Sequence, residues 1–208
     1  KSLLRHPDFV KELNAEALKP YMTFQYPAIG ETFFKGVYKL PEGHYFTYRD
    51  GKMDIHRYYD EDFREGKQKL GELVNSIDQT VCDSVKAHQI ADVEVGSFLS
   101  SGVDSSYVAA VARPQHTYSI GFGKGTYNES QQAGELAELL KLNNTAESLT
   151  DEEAFAAFPR IQWHLDEPDS NPSCVPLYFL SALAAKDVKV VLSGEGADEL
   201  FAGYIDYG

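Results

Sequence analysis

Residues 98–110 read FLSSGVDSSYVAA, and their pattern indicates the fold class of the chain. An apolar run ends in serines around Gly102, and a second apolar run begins after Asp104. The pattern predicts a buried strand over residues 93–99, a tight turn at Gly102 and a helix over residues 104–112. A strand that runs directly into a helix is typical of a β-α-β unit, so we expect a parallel sheet.

Three further predicted strands alternate with helices in the second half of the chain. The strands are residues 117–122, 145–149 and 188–192, and the helices are residues 129–142, 152–163 and 175–186. Right-handed crossovers between such elements predict an α/β fold, a doubly wound parallel sheet with helices on both faces. In the strand order 3-2-1-4, the first and fourth strands are neighbours, and ligands bind outside their carboxyl ends.

The first part of the sequence follows a different pattern. We predict a helix over residues 8–19 that Pro20 ends, because proline cannot continue a helix. Asp50-Gly51 is a favoured two-residue turn, and the alternating residues around it predict a β-hairpin. An apolar stripe predicts a long helix over residues 62–88. We therefore expect a small hairpin-and-helix domain over residues 1–61 and the α/β domain over residues 62–208.

The loop at residues 99–106 allows two interpretations. Helix starts carry unpaired N–H groups and a partial positive charge, so serines and Gly102 at this position could cradle an anion. The same serines and Asp104 could instead only cap the helix. The loop lacks the GK[ST] ending of a Walker A loop and the GxGxxG pattern of a dinucleotide site.

The loop after the fourth predicted strand carries three acids. Residues 190–204 read VVLSGEGADELFAGY and contain Glu195, Asp198 and Glu199. Acids gathered in a turn indicate a bound cation, or they complement the positive end of a helix. Because the predicted strand order brings both loops to one crevice, their combination favours a triphosphate site with Mg²⁺.

The first loop resembles the PP-loop, SGGxDS, of the N-type ATP pyrophosphatases. These enzymes hold the β- and γ-phosphates of ATP as pyrophosphate and cleave ATP at the α-phosphate. Ser101 stands where that pattern has its first glycine. The backbone at Ser101 must therefore adopt a conformation that is open to L-residues.

A broader resemblance covers almost the whole chain. SGVDSSYVAA, TYSIGF, YNES, IQWHLDEP followed by NPS, and LSGEGADELFAGY occur in this order. They resemble the synthetase domain of the glutamine-hydrolysing, class B asparagine synthetases. Residues 30–60 resemble the last strands of that family's glutaminase domain. The resemblance implies an adenine nucleotide alpha hydrolase-like fold and a ligase that makes asparagine from aspartate and glutamine-derived ammonia through β-aspartyl-AMP.

The resemblance also implies site residues. ATP would be bound by residues of three strand ends: Leu99, Ser100, Ser101, Gly102, Val103, Asp104, Ser105, Ser106, Ile120, Ser193 and Gly194. Mg²⁺ would be bound by Asp104 and Asp198, and Glu195 would be catalytic. Ser170, Asn171 and Ser173 could border the aspartate pocket, although a proline-rich surface loop explains them as well.

The composition of the chain indicates which partners it can bind and in which cellular compartment it lies. The formal net charge is −13 and no Lys/Arg run is present, which argues against nucleic acid. No apolar run has the length of a membrane span. Only two cysteines, Cys82 and Cys174, occur, and this favours a reducing cytoplasm. The expected partners are small molecules, and the family allows a homodimer of the full-length protein. The family's glutaminase nucleophile is an N-terminal cysteine, whereas this sequence begins with Lys1 and also lacks the family's downstream synthetase helices. We therefore expect a fragment that is inactive alone in making asparagine.

Two rival functions remain at this stage. Another PP-loop enzyme that adenylates a carboxylate, such as a β-lactam synthetase, would share both loops. A nucleotide-binding regulatory module without chemistry would leave the carboxylates unused. Titration of ATP with and without Mg²⁺ separates these classes, because a catalytic site should need the metal to bind ATP and a regulatory module should not.

Overall fold

The computed structural model describes residues 2–26, 28–62, 66–122 and 129–204. The chain forms two compact units. The first unit comprises Lys1–Lys67 and Gln162–Asn171, and the second comprises Gln68–Ile161 and Pro172–Gly208.

The first unit contains the predicted β-hairpin. Strands β1 (His44–Arg49) and β2 (Lys52–Arg57) pair antiparallel, and Arg49 lies opposite Lys52. Asp50 and Gly51 connect them with φ angles of 52° and 75°. Positive φ at both central residues is what a two-residue hairpin turn of this kind requires, so the hairpin prediction is confirmed.

The predicted helix over residues 8–19 is wrong. A short 3₁₀ turn, Ala15–Ala17, leads into helix α1 (Leu18–Phe24), and Pro20 lies in the first turn of α1. A proline is tolerated there because the first N–H groups of a helix have no partner within it. Before this helix, the main chain pairs with a distant segment: Asn14 N–H donates to Phe33 at 2.9 Å. Non-local pairing therefore overrides the local helical pattern.

In the second unit, helix α2 (Leu70–His88) begins later than predicted. Residues 66–69 are not helical, and residues 63–65 lie outside the described residues. The Glu72 carboxylate accepts a hydrogen bond from the Lys69 N–H at 3.4 Å, which caps the helix where the apolar stripe starts. The apolar stripe, rather than the charged segment before it, sets the start of the helix.

The parallel sheet has the predicted order. Its strands are β3 (Val95–Phe98), β4 (His116–Phe122), β5 (Asn143–Leu149) and β6 (Val190–Leu192), and the order β5-β4-β3-β6 corresponds to 3-2-1-4. The helices between and after these strands are α3 (Val103–Ala112), α4 (Glu129–Leu140), α5 (Asp151–Leu165), α6 (Cys174–Ala184) and α7 (Ala197–Phe201). All three strand pairs are parallel, so the doubly wound α/β fold is confirmed.

Two apolar clusters cover the two faces of the sheet. On one face, Leu99 packs with alanines of α3 and α4: Ala109, Ala133 and Ala137. On the other face, Tyr118 packs with α6 and the segment after it: Leu183, Ala184 and Val188. Alanines let α3 and α4 approach the sheet closely, which fixes the start of α3 against the end of β3. No helix in the described ranges is both long enough and apolar enough to span a bilayer.

Candidate active site

The loop between β3 and α3 is held by hydrogen bonds among its own serines. The Oγ atoms of Ser100 and Ser105 are 2.7 Å apart, and the Gly102 N–H donates to Ser100 Oγ at 3.1 Å. The Ser106 hydroxyl donates to the Gly102 carbonyl at 2.6 Å. Asp104 lies in the first turn of α3. The loop thus presents hydroxyl groups beside the positive end of a ten-residue helix.

The loop accommodates Ser101 at the position where the PP-loop pattern has a glycine. Its φ angle is not among the positive ones of the chain, so its backbone is open to any L-residue. Gly102, the residue before α3, has φ −71° and ψ 150°, which is also an ordinary extended conformation. The loop therefore forms without a strained residue at either position.

The loop between β6 and α7 carries the acids. Gly196 precedes α7 with φ 90°, a conformation that favours glycine. Asp198 and Glu199 lie in the first turn of α7, where the positive end of the helix stabilises carboxylates. The Tyr204 hydroxyl donates to Glu199 at 2.7 Å, and this hydrogen bond lowers the pKa of Glu199 below its ordinary value.

The two loops touch each other through their backbones. Strands β3 and β6 are paired, with Ser97 opposite Leu192. A Cβ atom on Gly194 would lie 2.7 Å from the backbone nitrogen of Ser105 and 2.9 Å from the carbonyl carbon of Asp104. Only a glycine allows such an approach without a shift of the main chain. The predicted adjacency of the loops is therefore confirmed.

One cavity of about 310 Å³ opens at this contact. Of the predicted site residues, ten border it: Leu99, Ser100, Gly102, Asp104, Ser105, Ile120, Ser193, Gly194, Glu195 and Asp198. Ser101, Val103 and Ser106 do not border it, and Val103 is 82% exposed. The structure thus brings together residues from three strand ends that lie far apart in the sequence.

The sequence interpretation missed one wall of the cavity. The cavity is bordered by Pro176, Leu177 and Leu180 of α6 and by Ser173. For Ser173 the sequence allowed two interpretations, the border of a pocket or a surface loop. Ser170 and Asn171 do not border the cavity. Residues 173, 176, 177 and 180 follow a helical spacing that could have indicated one shared face, but apolar residues at that spacing are also typical of a core.

The carboxylates of the site could provide part of the ligand set of a divalent cation that is also bound by substrate oxygens. Asp104 and Asp198 both border the cavity, one from each loop. Within the described ranges no three His, Cys, Asp or Glu residues gather into a complete metal site. Mg²⁺ is usually bound through one or two carboxylates together with substrate phosphates, and this donor set is of that kind.

Two known protein families match the two parts of the chain. A family model described as "Asparagine synthase" matches residues 76–208, and one described as "Glutamine amidotransferase domain" matches residues 1–59. The chain belongs to the asparagine synthase family. The resemblance seen in the sequence is thereby confirmed for both parts of the chain.

Relatives of this asparagine synthase family member carry matching names. It is 40% identical to "Asparagine synthetase [glutamine-hydrolyzing] 1" of Bacillus subtilis, over 94% of this chain and 32% of the relative. It is 38% identical to a "Putative asparagine synthetase [glutamine-hydrolyzing]" of Mycobacterium tuberculosis, over 96% of this chain and 32% of the relative. The chain spans about a third of the length of these relatives.

Solved structures resemble this family member more weakly. "NMN synthetase from Francisella tularensis" matches with a TM-score of 0.43 and 21% identity, over 67% of this chain and 60% of the other. An "NH3-dependent NAD synthetase from Campylobacter jejuni" matches with a TM-score of 0.40 and 18% identity, over 62% and 60%. Both TM-scores are too low to carry an argument about the site.

Proposed function

We propose that the full-length protein is a ligase that makes asparagine from aspartate, ATP and glutamine-derived ammonia. One observation carries the proposal: the serine loop after β3 and the acidic loop after β6 meet, backbone against backbone, at a single cavity. A carboxylate must be activated before ammonia can displace an oxygen from it. A phosphate cradle facing carboxylates suits activation by ATP, and the family of the chain supports aspartate as the substrate.

The residues of the first loop would bind the pyrophosphate part of ATP. Ser100, Gly102 and Ser105 border the cavity beside the start of α3, where N–H groups and hydroxyls can donate to phosphate oxygens. Ser101, Val103 and Ser106 would act through the shape of the loop, because they do not border the cavity. Leu99 and Ile120, at the ends of β3 and β4, would meet the nucleoside.

Asp104 and Asp198 would hold Mg²⁺, which when bound compensates the charge of the departing pyrophosphate. Asp104 borders the cavity from the β3–α3 side and Asp198 borders it from the β6–α7 side, so the cation would be bound from two sides. Glu195 is exposed and borders the same cavity, and we assign to it the proton of the incoming ammonia. Ser193 and Gly194 would contact ATP from the end of β6.

The division into two domains follows the same proposal. Residues 1–61 would be the end of a glutaminase domain, and residues 62–208 would be the first part of the synthetase domain. The two family models match on either side of this boundary. The compact units also divide between residues 67 and 68, although Gln162–Asn171 belong to the first unit.

A reducing cytoplasm is the proposed location, because the sequence has only two cysteines and they lie far apart. The small-molecule partners are those of the reaction. A homodimer of the full-length protein stays a prediction.

Gly203 provides a test of the cation assignment. A Cβ atom on Gly203 would overlap the Asp198 carboxylate and lie 3.1 Å from the Asp198 Cα. The carboxylate can rotate away and the main chain needs to shift by only a few tenths of an ångström, so the fold should survive Gly203→Ala. We expect this variant to need roughly tenfold or more Mg²⁺ for half-maximal turnover at saturating ATP. The measurement is a Mg²⁺ titration of asparagine formation.

The matched control for this test is Gly71→Ala, because Gly71 lies in helix α2 with nothing near its missing Cβ. An unchanged Mg²⁺ requirement in Gly203→Ala would show that the Asp198 carboxylate does not bind the cation.

The bond of ATP that breaks tests the whole proposal. The loop has no Walker lysine and holds its donors where pyrophosphate would depart, so the α-phosphorus should be attacked. We expect aspartate labelled with ¹⁸O in its β-carboxylate to pass one labelled oxygen to AMP. Mass spectrometry of the nucleotide product measures this transfer.

Label in inorganic phosphate together with ADP would overturn adenylation. Transfer of label to AMP from a different carboxylate, with none from aspartate, would point to another carboxylate-adenylating homologue such as a β-lactam synthetase.

A further inference from the structure

Four polar residues form a row on one face of the parallel sheet. Ser97, Thr117 and Ser119 are at most 1% exposed, and Asn144 lies beside them on β5. Ser97 is in register with Thr117, and Thr117 is in register with Asn144, so these side chains share a face. Buried parallel strands are usually apolar throughout, so this row departs from the ordinary pattern.

The hydrogen-bond contacts of this row show which Asn144 amide atom faces inward, because each contact needs one proton. Thr117 Oγ1 lies 3.0 Å from the Asn143 carbonyl oxygen, and Ser119 Oγ lies 2.7 Å from the Leu99 carbonyl oxygen. The structure places the amide oxygen of Asn144 inward, with Oδ1 3.0 Å from Thr117 Oγ1 and 3.1 Å from Ser119 Oγ. Each hydroxyl has one proton to donate.

With the amide oxygen inward, four oxygen–oxygen contacts would share two protons. Two of the four contacts would then bring lone pairs together, and buried groups do not ordinarily remain so. With the amide nitrogen inward, its two N–H groups donate to the two hydroxyl oxygens, and each hydroxyl donates to a carbonyl. All four contacts then contain one proton each. Side-chain amide orientation is assigned from such networks, because oxygen and nitrogen have nearly the same shape.

The chain of hydrogen bonds ends on the first peptide of the serine loop. The Leu99 carbonyl and the Ser100 N–H belong to one rigid peptide unit. Its oxygen accepts from Ser119 Oγ at 2.7 Å, and its N–H donates to Ser105 Oγ at 3.1 Å. The orientation of this peptide is therefore fixed from β4 on one side and from α3 on the other.

We propose that Asn144 and Ser119, which do not border the cavity, are positioning residues for the nucleotide site. Asn144 donates through its amide nitrogen to Ser119, Ser119 donates to the Leu99 carbonyl, and the peptide between Leu99 and Ser100 is thereby oriented. This inference rests on the proposed function, because it takes the loop as the ATP cradle. Its chemistry differs from that of the site residues, since neither side chain touches the ligand.

Asn144→Asp separates the two amide orientations, because aspartate has the same shape and only accepts. If Asn144 donates, the carboxylate takes the protons of both hydroxyls and leaves the Leu99 carbonyl without its donor. If Asn144 accepts, aspartate serves as well or better. Asn143→Asp is the matched control: it adds the same charge on the same strand, and the Asn143 side chain is exposed.

The test measures the dissociation constant of ATP by calorimetry and the unfolding midpoint, in the full-length protein. We expect Asn144→Asp and Ser119→Ala each to weaken ATP binding about tenfold, the usual effect of one lost hydrogen bond to a buried group. The double variant should bind ATP with about the same dissociation constant as the more weakly binding single variant, because both changes break the same series of hydrogen bonds. Asn143→Asp should bind ATP as the wild type does.

Wild-type affinity in Asn144→Asp, or additive losses in the double variant, would overturn the inference. If Asn144→Asp does not fold, neutron diffraction from deuterium-exchanged crystals of the wild type reads the amide directly. Deuterium on the inward atom supports the donor assignment, and its absence contradicts it. A wild-type protein that binds no ATP would instead refute the proposed function and leave the amide orientation to the neutron measurement.

Discussion

Asp104→Asn and Asp198→Asn, made separately in the full-length protein, are each expected to reduce asparagine formation about a hundredfold or more. Each change removes one anionic oxygen ligand from the proposed Mg²⁺ position, so the charge on departing pyrophosphate loses its compensation. The two carboxylates come from opposite loops of the same cavity, so the two losses should be similar. The measurement is kcat with ammonia as the nitrogen donor, together with glutamine hydrolysis as a separate readout.

Glutamine hydrolysis should stay near the wild-type rate in both variants. Asp92→Asn is the control, since Asp92 is exposed in the segment before β3 and does not border the cavity. Near-normal kcat in Asp104→Asn and Asp198→Asn would rule out both carboxylates as cation ligands.

Gly194→Ala should have an effect of similar size for a different reason. The added methyl group would meet backbone atoms of Asp104 and Ser105, which cannot rotate away as a side chain can. The two loops must then separate by a fraction of an ångström or more. Displacements approaching 1 Å at a reacting site cost roughly a hundredfold in rate, so we expect a loss of that order in asparagine formation.

ATP binding should weaken along with turnover in Gly194→Ala, because the same loops form the phosphate cradle. The control is Gly134→Ala in helix α4, where the structure places nothing within 4 Å of a new methyl group. Wild-type kcat and ATP affinity in Gly194→Ala would mean that the contact between the loops is not part of the site.

The sequence predicted the sheet well because its signals are local and repeated. Strand β3 and helix α3 were placed within two residues by an apolar run, a serine turn and a second apolar run. The strand order came from the doubly wound fold class, in which the order 3-2-1-4 makes the first and fourth strands neighbours. The ten cavity residues were implied by the family resemblance, and the strand order explains why they meet at one cavity.

The failures come from interactions between distant segments. The helix expected over residues 8–19 does not form there because residues 12–14 pair with residues 33–35, a contact that no local pattern contains. The α6 wall of the cavity was missed because Leu177 and Leu180 have the same spacing in a core helix and in a pocket. The hydrogen bonds of Asn144 depend on the register of β5, which composition does not reveal.

The pairing of β3 with β6 also has a consequence for synthesis on the ribosome. Ser97 and Leu192 are 95 positions apart, yet they lie on neighbouring strands. A nascent chain that has emerged only as far as β5 has its serine loop but lacks the acidic loop that faces it. During that interval the edge of β3 has no partner strand, and an unpaired strand edge invites association with other chains. Strand β6 therefore brings the acidic loop to the cavity and covers this edge of β3 at the same stage of synthesis.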